Sequence, residues 1–233
     1  MTLREEKDRQ NSALLPPGTL RAKRVTLLGA GGLGSPAAVQ FAGAGVSLTV
    51  LDGDTVSLSN LNRQFLFTPD DGGKPKAALA AERLRAFAPD CDFTASCAFL
   101  TDGNAEQLLA GSDLVFLATD NNDARFVANR WCVRHGVPFV CVGIAGACGT
   151  VYLYRPRETA CLACCWPERE SPDKRTLAAA AGAVSSLGAT LALRALCGDF
   201  SEAGNLFLLD TKTMTLDRLP VKKAAACPVC GGN

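Results

Sequence analysis

Near the start of the chain a short apolar run, Arg24–Leu28 (RVTLL), ends in Gly29-Ala30-Gly31-Gly32-Leu33-Gly34, and a helix-forming stretch, Ser35–Ala44, follows at once. Strand, glycine turn and helix form the setting in which GxGxxG has physical meaning. The glycines at 29, 31, 32 and 34 let the backbone turn tightly and approach a phosphate, which then meets the positive end of the helix. The motif says only "nucleotide": it does not separate NAD, FAD and ATP, and a glycine-rich packing turn is the competing reading. An acidic residue about twenty positions on should meet a ribose hydroxyl. Asp52, which closes the second apolar run Ser47–Leu51, is that residue; Asp54 caps the loop or contacts the ribose as well.

Further along, helix-like and strand-like stretches alternate. A helix is expected around Pro75–Phe87, a strand over Asp92–Cys97, a short helix over Asn104–Ala110, a buried strand over Asp113–Ala118 and a helix near Ala124–His135. Two more strands follow at Pro138–Ile144 and Gly149–Arg155, then an Ala-rich helix and two short strands. Alternation of this kind predicts an α/β, Rossmann-like fold, with a mostly parallel sheet and helices on both faces. Residues 1–20 read as an N-terminal arm closed by Pro16, Pro17 and Gly18, and 21–233 as one domain.

Composition closes off several classes. The 233 residues are 48% hydrophobic with a formal net charge of +1, and Lys and Arg are scattered. That describes a folded chain with no electrostatic case for nucleic acid or an anionic membrane. The polar start lacks a signal-peptide core, and the most apolar run, Leu187–Leu196, is interrupted by Arg194, so no bilayer span and a cytoplasmic location are expected.

Four of the eleven cysteines form two pairs, Cys161-Leu-Ala-Cys164 and Cys227-Pro-Val-Cys230. In a chain of this size without an export signal, CxxC pairs favour metal and free thiols over disulfides. Two such turns complete an all-cysteine tetrahedral zinc site with no open position, hence a structural one in a C-terminal subregion. Cys91, Cys97, Cys132, Cys141, Cys148 and Cys197 read as core residues, Trp166 as packing, and His135 as a helix-end residue.

The loop after the second strand carries the most information. Asp52–Gln64 reads DGDTVSLSNLNRQ, followed by GKPK (Gly73–Lys76) and TDN (Thr119–Asn121). With GAGGLG these blocks, in this order, resemble the ThiF/MoeB/HesA family, the bacterial relatives of ubiquitin-activating enzymes, from about Arg24 onward; both CxxC pairs match too. The resemblance implies adenylation, in which a carboxylate attacks the α-phosphorus of ATP and pyrophosphate leaves. Both reactants are anions, so positive groups must neutralise them. Arg63 and Lys76 match the family positions that do so, Ser59 and Asn60 fall among its nucleotide contacts, and Asp120 matches its magnesium carboxylate with Asn121 beside it. Family members often borrow an arginine from the partner's N-terminal arm, within an RQ dipeptide. Arg9-Gln10 is the candidate here, which implies a homodimer.

One departure stands out. Relatives commonly carry an acyl-accepting cysteine before the last long helix, whereas this segment reads SPDKRTLAAAAGAVSSLG. Cys165 is a substitute or a packed bystander. Loss of that thiol favours an acyl-adenylate attacked by an external sulfur source. The implied substrate is a small ubiquitin-like (β-grasp) carrier ending in Gly-Gly, of the kind used in thiamine or molybdopterin synthesis. Another peptide terminus and a non-catalytic scaffold are the alternatives.

Overall fold

The computed structural model describes residues 1–166 and 175–231. Five of the apolar runs pair side by side in parallel: β1 (Arg24–Leu28), β2 (Ser47–Leu51), β3 (Phe93–Ser96), β4 (Leu114–Leu117) and β5 (Phe139–Ala145), in the order β3-β2-β1-β4-β5. All four residues of β4 are buried, which is why Leu-Val-Phe-Leu reads as a continuous apolar run and does not alternate. The sheet then continues antiparallel through β6 (Cys148–Tyr154), β7 (Asn205–Asp210) and β8 (Thr215–Pro220). The sheet is thus mostly parallel, as expected, with an antiparallel extension, and is eight strands wide among the described residues.

Helices cover both faces. α2 (Gly34–Ala44), α3 (Lys76–Phe87) and α7 (Ala178–Leu196) pack on one, sharing a core with Val25, Leu27 and Val50. On the other lie α4 (Ala105–Leu109), α5 (Asn122–His135) and the short α6 (Leu162–Cys165), over Leu28, Leu51 and Leu117. The strand and helix positions legible in the sequence thus match the elements to within a residue or two at most ends. α5 ends at Gly136 in the left-handed conformation, as its sequence position suggests, while His135 stacks on Trp131 and faces Glu106 at 3.1 Å.

Three features depart from expectation. The N-terminal arm holds a helix, α1 (Leu3–Asn11), started by a capping box between Thr2 and Glu5. None of its residues is buried, so it has no apolar periodicity to reveal it. It is fastened by polar reach: Lys7 Nζ donates to Ala42 O (2.9 Å) and pairs with Asp90 (2.6 Å), and Arg4 donates to Gly45 O (2.8 Å). Secondly, α7 is long and apolar enough, by length and composition, to cross a membrane, with a window of mean hydropathy 1.4 in its 19 residues. The single Arg194 does not offset the alanines and leucines around it. Here it is a core helix, packed on α2, β5 and β6. Thirdly, Cys97 and Cys148 are exposed and not core residues, because each sits where its strand ends or begins.

The crossing of β1 and α2 is set by Gly34. A Cβ there would lie 1.8 Å from the carbonyl oxygen of Gly29. Gly34→Ala is therefore expected to lower unfolding free energy by about 3 kcal/mol, the upper range for overpacking, because backbone must move. Urea denaturation followed by far-UV circular dichroism measures it.

Candidate active site

β1 has β2 on one side and β4 on the other, so the chain leaves it in opposite directions at this point. Open α/β sheets bind ligands at the carboxyl ends of strands where this reversal occurs. A cleft of about 580 Å³ opens there, lined by the glycine turn after β1, Asp52 and Asp54 after β2, and Thr119–Asn121 after β4. Its size falls in the range of small-molecule sites.

Each glycine has a distinct spatial reason. Gly29 has φ +94°, and a Cβ would meet Ala118 O at 2.9 Å. At Gly32 the crowding comes from a side chain: a Cβ would lie 2.9 Å from Arg63 Cγ. The stem of Arg63 thus rests on the turn, and its Nη1 donates to Asn62 Oδ1 at 2.9 Å. Gly29, Gly31 and Gly32 line the cleft, whereas Gly34 lies behind it as a packing residue. α2 begins without a side-chain cap and without an acidic residue in its first turn. Its positive end is left for a negative group.

Asp52 ties the two loops together. One oxygen accepts the N–H of Ala30 (2.7 Å), the other that of Asp54 (2.8 Å). Burial pushes its carboxyl above the usual range, although these two donors pull against it. Lys76 is the first residue of α3 and only 5% exposed. Its Nζ pairs with Asp54 Oδ2 at 3.2 Å and its N–H donates to Asp54 O at 3.0 Å. A buried ammonium at a helix N-terminus is placed against the helix dipole. With Arg63 it sets two cations in the cleft among the carboxylates of Asp52, Asp54 and Asp120.

Thus the structure brings Gly29, Gly31, Gly32, Asp52, Asp54, Asn60, Arg63, Lys76, Asp120 and Asn121 to one cleft. Asn121 caps α5, its Oδ1 accepting the N–H of Ala124 at 3.0 Å. Ser59 does not line the cleft; it is exposed, with its hydroxyl 3.0 Å from that of Ser57. Arg9 stands outside it too, paired with Glu6, whose carboxyl Arg9 and Gln10 lower to about 2.

Sequence reasoning missed Gln64, Phe99 and Arg125. Gln64 is 4% exposed, and its buried Oε1 lacks a hydrogen-bond partner. Arg125 is 7% exposed with an unpartnered Nε. Buried orphans at a cleft wall are groups a polar ligand would satisfy. Gln64 stands inside the RQ pair of the loop motif, a signal available beforehand. Phe99, whose ring lies over Gly53, has none, since it is a lone exposed aromatic in the loop after β3 and belongs to no motif.

The two CxxC turns, far apart in sequence, meet. Their four sulfurs lie within 4.8 Å of one another, with Cys161–Cys227 at 3.7 Å and Cys164–Cys230 at 3.5 Å. Tetrahedral zinc with Zn–S near ~2.3 Å sets sulfurs ~3.8 Å apart, so the donor set and spacing fit. The turn is fixed to the body by Asn129 on α5, whose Oδ1 accepts the N–H of Leu162 at 2.9 Å. Cys165 is packed: its Sγ lies 3.6 Å from Cys161 O, and burial pushes its thiol up to about 12. The cysteine-free crossover segment spans residues 171–188; its first four lie outside the described residues and the remainder leads into α7.

A doubly covered α/β sheet, with a glycine turn, an uncapped helix end and two cations in a cleft at its switch point and a cluster of four thiols, fits a nucleotide-binding enzyme class. Residues 16–229 match the model of the ThiF family. The chain belongs to that family and is an adenylyltransferase of the ThiF/MoeB type. It is 37% identical to the sulfur carrier protein ThiS adenylyltransferase of Escherichia coli, over 90% of this chain and 86% of that protein. It is 36% identical to the SAMP-activating enzyme E1 of Haloferax volcanii, over 92% and 82%. Among solved structures, E. coli MccB with MccA-N7isoASN superposes with a TM-score of 0.81 at 20% identity, covering 99% of this chain and 70% of that one; the likeness is one of fold.

Dialysed against zinc, the protein is expected to retain one equivalent per chain, and Cys227→Ser much less. Elemental analysis checks the stoichiometry. The variant's melting temperature should fall by roughly 10 °C, because metal bound only by the folded state stabilises it.

Proposed function

We propose that this chain uses ATP and magnesium to adenylate the C-terminal carboxylate of a small β-grasp sulfur-carrier protein ending in Gly-Gly, releasing pyrophosphate. The observation that carries the reading is a cleft that gathers the buried Lys76 ammonium, Arg63 and the glycine turn before the uncapped start of α2. No neutral ligand needs that arrangement. Support for the substrate class comes from the relatives, whose names specify sulfur carriers and the SAMP system.

In this reading the carrier carboxylate attacks the α-phosphorus, a new oxygen–phosphorus bond forms, and the bond to pyrophosphate breaks. Lys76 and Arg63 neutralise the α-phosphate and the leaving group as charge develops. Asp52 receives the ribose hydroxyls, Asn60 makes a further nucleotide contact, and Phe99 offers an apolar surface to the base. Asp120 would hold magnesium, which when bound supplies positive charge to the phosphates. With Cys165 packed away, the acyl-adenylate awaits an external sulfur source, as in thiamine or molybdopterin-type sulfur delivery. The four thiols hold structural zinc.

A homodimer belongs to the same reading, since Arg9 of the partner subunit could enter the cleft only after leaving Glu6. Eleven free cysteines favour a reducing compartment such as the cytoplasm.

ATP–pyrophosphate exchange tests the proposal, with ThiS and MoaD-type carriers added one at a time. Carrier-dependent exchange is expected; ATP binding without exchange for any carrier would overturn it. Asp120→Ala should abolish exchange while zinc content and fold persist. Lys76→Met should lose at least about 100-fold, yet unfold at an equal or higher temperature, because it removes a buried cation from a helix N-terminus.

A further inference from the structure

α5 meets the metal-site turn at two levels. The Arg125 guanidinium lies 5.1 Å from the centre of the Trp166 ring, at the end of α6. One helical turn further along α5, Asn129 reaches the start of α6 at Leu162. Asn129 is fully buried, and so is Cys161. The Asn129 Oδ1 accepts the N–H of Leu162 at 2.9 Å. A backbone N–H can only donate, so the atom facing Leu162 is the oxygen and the amide has one orientation. Nδ2 is thereby turned away from Leu162, where it is a buried donor without a hydrogen-bond partner. An unmade donor in a dry interior is costly, and a fully buried one calls for an acceptor.

The sulfur of Cys161 can become that acceptor. Burial pushes the Cys161 thiol up, and the Asn129 amide beside it pulls the other way. A neutral thiol accepts weakly, whereas charge on a thiolate strengthens the bond. Cysteines that ligate a metal do so as thiolates. Another sulfur of the cluster takes its donor from nearby backbone: the N–H of Ala224 points at Cys164 Sγ at 3.5 Å. Asn129 instead belongs to the body of the fold, on the helix that walls the cleft through Asn122 and Arg125.

We propose that Asn129 Nδ2 donates to the Cys161 thiolate once the four-thiol cluster holds zinc, so that one amide anchors the turn through its oxygen and supports the metal through its nitrogen. Asn129 is a positioning residue, acting on the metal through Cys161. Partners of this kind orient a ligand and tune its donor strength, and their loss weakens metal binding. The inference rests on the reading of the four thiols as a zinc site and adds a fifth residue to it, supplied by α5.

The first test uses the full wild-type chain loaded with a spin-half cadmium isotope, a soft ion that takes the same thiolates. Proton NMR then looks for scalar coupling between the metal nucleus and the Asn129 side-chain amide, which passes only through an N–H···S bond. A resolved coupling is expected. Its absence, with couplings to the cysteine Cβ protons present, would overturn the inference without any variant. Asn129→Asp keeps an oxygen for Leu162 and removes the donor. Its zinc Kd, from competition with a chromophoric chelator, should rise about 10–100-fold. In the cobalt-substituted variant the sulfur-to-metal charge-transfer band should move to longer wavelength, because a thiolate without a donor gives up its electrons more readily. An amide that only anchored the turn would leave that band in place. An unmoved band with an unchanged zinc Kd would therefore overturn the inference. Failure of wild type to hold zinc at all would remove the zinc reading and the inference together. Each readout is independent of turnover, so a negative result leaves adenylation untouched.

Discussion

The approach of Gly34 to the carbonyl of Gly29 is the contact on which the molecule's chemistry depends. It lets α2 leave the end of β1 within a single tight turn, so the uncapped helix end stands beside the residues that follow β4. Asp52 then pins the turn to the next loop through two backbone N–H groups. A methyl group at Gly34 would push helix and strand apart, and the anion cradle and its acidic brace would separate together. Three loops from three strands act as one rigid piece because one position lacks a side chain.

Against that rigid frame the electrostatics are arranged at a cost to stability. A cation at the first position of α3 opposes the helix dipole, and its burial adds a desolvation penalty that one half-exposed carboxylate offsets only in part. Natural stability would be better served by a neutral side chain. Charge of this kind is retained where a ligand of opposite sign completes it, and the orphaned Oε1 of Gln64 and Nε of Arg125 are further unfilled valences on the same wall.

How much of this was legible beforehand differs by element. β4 could be read from four apolar residues in a row, since burial on both faces leaves no other pattern. The metal cluster could be read from spacing, because two CxxC turns need only meet. α1 could not: its anchors, Lys7 and Arg4, find Asp90 and Gly45 through tertiary contacts that local periodicity does not encode. Arg125 and Trp166 were hidden for a similar reason, as an arginine on a helix and a tryptophan beside a cysteine turn look ordinary until the fold stacks them. The membrane-like apolarity of α7 shows the reverse error, since a helix enclosed by its own protein and one enclosed by lipid have nearly the same composition.

The two halves of the thiol clamp are 66 residues apart along the chain, and α7, β7 and β8 lie between them. A metal joining them closes a long loop, which removes chain entropy from any state in which that segment has come loose. The apolar α7, if it opens, therefore remains leashed within reach of its own groove, where rejoining the sheet competes well against meeting another molecule. The clamp guards the most aggregation-prone helix of the fold by shortening its excursions.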